Sequence, residues 1–275
     1  MRRNDTYSAR SPKIKMRFFA VCLALCVCGS LPACGRKSSA PPAPSTAAPA
    51  ATSTKGSSDE TGAAYSPIEL PQADQRLGTA VVVLIDTSGS MAQPVRDKTG
   101  QSRPKNQIAR EAMEHIVRYT SDWKKQHPDS PLFFGLNSFA DSVSQILPAA
   151  EFDLNSAQSA LQKIPPPKGG TAIGRGIEEG FKALYRSGCV RKYLVCITDG
   201  ENTAGPEPGA VAGQLYKQTG GEVEMHFVAF DTSSQHFSFL KQVNGHVVEA
   251  ADGSQLEAKL SEIYEKRILA EALPE

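Results

Sequence analysis

Two short stretches of this 275-residue chain place carboxylates and hydroxyls where an apolar strand gives out. Residues 79–85 are a continuous β-branched apolar run, followed at once by Asp86-Thr87-Ser88-Gly89-Ser90-Met91. Residues 193–198 are a second apolar run, followed by Asp199-Gly200, and between the two Gly169-Gly170-Thr171 opens a helix that begins near Ile173. Carboxylate and hydroxyl oxygens are hard donors, and such donors in near-octahedral array suit Mg²⁺ or Mn²⁺, with Ca²⁺ suited less well. The same residue types can serve other chemistry. Ser88 or Ser90 as a nucleophile needs a base, yet none of His115, His127, His226, His236 and His246 falls in a site loop. Phosphoryl transfer on Asp86 lacks the second nearby carboxylate of Asp-x-Asp chemistry. Gly174-x-Gly176-x-x-x-Gly180 has the wrong spacing for a nucleotide loop and lies inside a helix. Asp86 or Asp199 alone reads as a helix or turn cap, whereas the whole set in register with strands and helices does not.

The elements that must position these residues alternate along the chain. Apolar residues at Ile108, Ala109, Ala112, Met113, Ile116, Val117, Thr120 and Trp123 draw one stripe on an amphipathic helix over 105–125. Residues 132–139 and 143–147, joined through Ala140-Asp141, predict a strand pair with a tight turn. A short helix over 156–163 must stop at Pro165-Pro166-Pro167. Helices are predicted over 173–185, 210–218, 237–243 and 254–270, and strands over 193–198, 223–230 and 247–250. Fully apolar strands alternating with helices mean a doubly wound α/β fold with a mostly parallel, Rossmann-like sheet flanked by helices. Such folds place their sites beyond the C-terminal ends of the strands, where Asp86 and Asp199 stand. Loops 92–104, with Arg96, Lys98 and Arg103, and 201–209 should flank that site, with Asn202 and Thr203 as turn-formers or as an extension of its rim.

An Asp-x-Ser-x-Ser loop, a distant Thr and a distant Asp, in this order and beside these elements, resemble the von Willebrand factor A family with its metal-ion-dependent adhesion site. The resemblance runs over about residues 79–269. It implies that Ser88, Ser90 and Thr171 supply hydroxyl oxygens to the metal and that Asp86 and Asp199 supply charge, directly or through water. Gly89 would let the loop turn between ligands, and Gly169-Gly170 would let Thr171 approach. Three of these five groups are uncharged, so a dication held by them stays electrophilic on its open side. The implied use is metal-bridged capture of a partner protein's Asp or Glu by a binding module that is not an enzyme. The alternatives are a structural or assembly role without metal, and an enzyme using the ion as Lewis acid, for which no general base is visible.

Upstream, six bases (Arg2, Arg3, Arg10, Lys13, Lys15, Arg17) against the single acid Asp5 precede an apolar stretch over 18–31, shorter than the roughly 20 residues of a bilayer span. It ends in Leu31-Pro32-Ala33-Cys34, which resembles the lipobox of bacterial lipoproteins, Pro32 departing from the usual small or aliphatic residue. That resemblance implies a signal peptide over 1–33, lipidation of Cys34 and a cell-envelope location, at the outer membrane in a diderm bacterium because Gly35 follows the cysteine. A non-lipidated secretory signal or a plain N-terminal inner-membrane anchor are the other readings. Residues 34–64 are a low-complexity Ser/Ala/Pro tether, leaving 65–275 as one domain. Beyond the basic n-region the chain holds 24 bases and 28 acids and no basic stripe, which excludes a nucleic-acid partner. Contact with a membrane is expected through the lipid anchor alone. Cys189 and Cys196 bracket an extended segment too long for a disulfide, and both read as small buried thiols.

Overall fold

The central strand β1 (Arg76–Asp86) is buried on both sides, because its β-branched run offers apolar side chains alternately to the two faces. A computed structural model describes residues 67–272, and everything below concerns these. The signal segment, Cys34 and the tether lie outside the described residues. After β1 come a hairpin of β2 (Pro94–Arg96) and β3 (Ser102–Pro104), helix α1 (Lys105–Gln126), β4 (Leu132–Phe139) and β5 (Val143–Glu151). Helices α2 (Leu154–Gln162) and α3 (Ile173–Arg186) lead to β6 (Cys189–Thr198), α4 (Pro208–Thr219) and β7 (Val223–Phe230). A 3-10 segment (Ser234–Gln242), β8 (Gly245–Ala250) and α5 (Gly253–Ile263) follow, and the last turns, Tyr264–Leu269, are π-helical.

The sheet order is β5-β4-β1-β6-β7-β8, all parallel except the edge strand β5. This is the doubly wound arrangement that the alternation of elements predicts. Val81, Val83 and Ile85 pack with α1, α2 and α5 on one face. Ala80, Val82 and Leu84 pack with α3 and α4 on the other. The chain leaves β1 for β4 on one side and later returns to β6 on the other, so strand order reverses between β1 and β6. The crevice at that switch lies at the C-terminal ends of both strands, where Asp86 and Thr198 end.

Two details depart from the sequence reading. The 92–104 loop is the β2–β3 hairpin, tied down rather than free: Arg103 binds Glu111 of α1, and Lys98 binds Glu257 of α5. Its tight turn rests on Asp97 Oδ1, which accepts from Thr99 N, Thr99 Oγ1 and Gln101 N. The helix expected over 254–270 widens into π turns halfway, although Leu256, Leu260, Ile263, Tyr264 and Ile268 face inward as expected. Cys189 and Cys196 are buried and free, as expected from the sequence. Among the described residues no helix is long and apolar enough to cross a membrane.

Candidate functional site

Asp86 closes β1 at a point sealed from solvent, and both of its oxygens are engaged. Oδ1 accepts from Ser88 N (2.7 Å), which folds the loop back on its own strand, and Oδ2 accepts from Thr198 Oγ1 (2.6 Å) at the end of β6. Burial pushes the Asp86 carboxyl up to about 6, against the pull of the hydrogen bonds from Ser88 and Thr198. From there the polar atoms run outward as a string. Ser88 Oγ lies 3.0 Å from Ser90 Oγ, and Ser90 Oγ donates to Asp199 Oδ1 (2.7 Å). Asp86, Ser88, Ser90 and Asp199, 113 positions apart in sequence at their extremes, are thus joined by adjacency of β1 and β6.

Thr171 enters from a third loop. Lys168 N donates to Thr87 O (2.8 Å) and Gly89 N to Gly169 O (3.0 Å), which seats the segment before Thr171 against the Asp86 loop. Thr171 itself is buried. Its backbone is held by Thr203, whose Oγ1 accepts from Thr171 N (2.8 Å) and whose own N donates to Thr171 O (2.9 Å). Asn202 Oδ1 accepts from Ile173 N (2.8 Å) and so caps α3 from across the crevice. Asn202 and Thr203 are therefore clamps on the Thr171 loop, not simple turn-formers. The glycines also work differently from the expectation. Gly169 has φ +74° and faces Asp141, whose Oδ1 accepts from Gly170 N (2.8 Å), so a side chain at 169 would be both strained and blocked. Gly89 has an ordinary φ, and a Cβ there would meet Gly169 O at 3.5 Å, an unstrained contact.

One residue the sequence reading passed over sits inside the site. Lys105, the first residue of α1, is 4% exposed, and its Nζ lies 3.0 Å from Asp199 Oδ2 and 2.8 Å from Asp231 Oδ2. Burial pulls the Lys105 ammonium down, but hydrogen bonds from it to Asp231 and Asp199 outweigh this and hold it above the ordinary lysine range. Asp231 follows β7 with φ 54°, a left-handed conformation that Asp tolerates better than most residues. The sequence signal was a lysine at the positive end of a helix dipole, where a cation is disfavoured unless a carboxylate holds it.

Chemically, this is a short file of hard oxygens ending in a shared carboxylate. Among the described residues no group of three or more His, Cys, Asp and Glu side chains is arranged to hold a metal, since most donors here are hydroxyls. Among the described residues no histidine hydrogen-bonds Ser88 or Ser90; His236 pairs instead with Glu201 (2.7 Å) in the neighbouring loop.

Sheet order, crevice and loop arrangement together match the von Willebrand factor type A fold. The family model of the von Willebrand factor type A domain matches residues 81–201 of this chain. Among solved structures, the PilB minor pilin from Streptococcus sanguinis is similar at 18% identity and a TM-score of 0.57, over 72% of this chain and 63% of that one. The conserved hypothetical protein BatB from Bacteroides thetaiotaomicron is 18% identical, with a TM-score of 0.54, over 70% of this chain and 100% of that one. Proximal thread matrix protein 1 from the mussel byssus, with a zinc occupied MIDAS motif, is 19% identical, with a TM-score of 0.53, over 72% and 47%. At these identities the likeness is one of fold. This chain spans less than two thirds of the pilin's length. A comparison with curated proteins found no match.

Proposed function

We propose that the domain is a divalent-metal-dependent protein-binding module displayed at a bacterial cell envelope, in which Ser88, Ser90, Thr171, Asp86 and Asp199 hold Mg²⁺ or Mn²⁺. The observation that carries this is the spacing of the oxygen string. Ser88 Oγ, Ser90 Oγ and Asp199 Oδ1 follow one another at 3.0 and 2.7 Å. Adjacent corners of an octahedron with metal–oxygen bonds near 2.1 Å lie about 3 Å apart, so these oxygens are already at the separation such an ion requires. The ion would supply an electrophilic open position for a partner's Asp or Glu.

The chain's own residues do the rest. Asp86, with both oxygens taken by Ser88 N and Thr198 Oγ1, fixes the loop and adds charge from behind. Ser88 and Ser90 present neutral oxygens, and Thr203 and Asn202 hold Thr171 in place. Catalysis is not part of the proposal, because the carboxylate on the Ser90 hydroxyl is itself shared with Lys105. An envelope location is supported by fold neighbours that include a pilin and an aerotolerance-related membrane protein, and a tether through Cys34 by the lipobox-like Leu31-Pro32-Ala33-Cys34.

The Lys105 ammonium favours a second reading, in which an internal cation completes the site and the domain assembles with its partner without metal. Thermal melting separates the two. With Mg²⁺ at a hundredfold excess over Kd, wild type should gain about 2.7 kcal/mol, and Asp199→Ala should gain nothing. Equal melting curves for wild type with Mg²⁺ and with EDTA would sink the metal-dependent reading.

A further inference from the structure

We infer that Lys105 sets the charge of this site, weakening its hold on the dication while strengthening the loaded site's hold on a partner's carboxylate; the inference rests on the function proposed above. Lys105 is an unlikely residue to bury here on any other ground. It stands at the first position of a 22-residue helix, where the helix dipole repels a cation, and its side chain is 4% exposed. Two carboxylates from two strand ends, Asp199 after β6 and Asp231 after β7, converge on its nitrogen at 3.0 and 2.8 Å.

The consequence follows from charge. Asp86, Asp199 and Asp231 together bring three formal negative charges to the end of the sheet, and Lys105 cancels one. A dication added to this cluster leaves it neutral. Without Lys105 it would remain anionic and would repel the acid it is meant to capture. The ammonium also holds Asp199 by Oδ2 and leaves Oδ1 to Ser90, so this carboxylate cannot wrap both oxygens around an ion. Both effects loosen the metal, and the neutral total helps an incoming carboxylate. The two affinities are therefore set against each other by one residue.

Lys105→Met keeps the length and the apolar stem and removes the charge. Isothermal titration with Mn²⁺ should show tighter binding, by on the order of tenfold, as expected for loss of a unit charge near a dication. Titration of the Mg²⁺-saturated, isotope-labelled protein with acetate, followed at the backbone amides of residues 88–90, should show acetate binding several-fold weaker. A lysine that merely braced the fold would give the opposite first result, because a displaced Asp199 loses metal. Asp231→Asn, at a side chain 44% exposed, serves where Lys105→Met does not fold. It should shift both constants the other way, with Mn²⁺ weaker and acetate tighter. If wild type binds Mn²⁺ through Asp199 but neither variant changes either constant more than twofold, or both constants move together, Lys105 does not act in this way. If wild type binds no Mn²⁺ at all, it is the proposed function that fails.

Discussion

At the C-terminal ends of β6 and β7 two carboxylates meet one buried ammonium; near the N-terminal ends of β7 and β8 two histidines meet one glutamate. The second cluster is made by near neighbours on two paired strands. His226 on β7 is the register partner of His246 on β8, their rings stack at 5.3 Å, and Glu224 Oε1 lies 2.9 Å from His226 Nε2 and 3.5 Å from His246 Nε2. Alignment is poor, and the buried His226 Nε2 makes no hydrogen bond. Burial, with His246 and Arg267 nearby, pushes His226 down to about 4. Burial likewise pushes Asp86 up to about 6. In both places the fold opposes a charge, but only at Asp86 do two donors, Ser88 N and Thr198 Oγ1, compensate for it. Donors thus hold the Asp86 carboxyl in one orientation, whereas His226 is packed as a neutral ring between Tyr193 and His246.

The linkage signs differ accordingly. Asp86 has a folded pKa above its ordinary value, so its contribution is fully present at low pH and is lost as pH rises through about 6. His226 has a folded pKa below its ordinary value, so its contribution is present above about 6.5 and is lost as pH falls toward 4. Between pH 4 and 6 the two oppose each other in the metal-free domain.

The largest expected effect sharpens the contrast directly. Asp199→Ala leaves Lys105 buried with Asp231 as its remaining carboxylate, and removing one partner of a buried pair costs about 3 kcal/mol. Its metal-free melting temperature should fall by roughly 10 °C. A fall under 2 °C would mean that the pair is not a structural unit. Asp86→Asn should move the other way, stabilising the metal-free domain at pH 7 by up to about 2 kcal/mol while abolishing the Mg²⁺ shift. A destabilised, metal-responsive variant would contradict the role given to this carboxylate. His226→Phe should leave stability at pH 7 within about 1 kcal/mol of wild type but remove the loss on acidification from pH 6.5 to 4.5, worth about 2 kcal/mol. Denaturant titrations at the two pH values check this, and an unchanged acid sensitivity would place it elsewhere. Thr203→Val deprives Thr171 N of its acceptor, so about 1 kcal/mol of stability and a few-fold in metal affinity should go together.

Much of this arrangement was legible in the residues. The order of strands and helices follows from apolar runs and stripes, which are properties of neighbouring positions, and every long element falls within a few residues of where periodicity predicts it. The Asp86 loop, Thr171 and Asp199 were readable because each adjoins the end of such an element and the doubly wound topology brings those ends together. The β2–β3 hairpin was not, since its strands are three residues long and stabilised by one aspartate and contacts to α1 and α5. Nor was the π-helical end of the last helix, whose inward stripe continues across the change.

Sequence by itself determined which residues would line the crevice, because strand burial and loop position are written locally in side-chain type. Only the tertiary structure decided what surrounds them. Lys105 reaches Asp199 and Asp231 across 94 and 126 positions, and Asn202 and Thr203 reach back to the Thr171 loop. The physical reason is reach. A long side chain or a loop amide finds its partner through the spacing of parallel strands about 4.8 Å apart, and that spacing carries no trace in the order of residues along the chain.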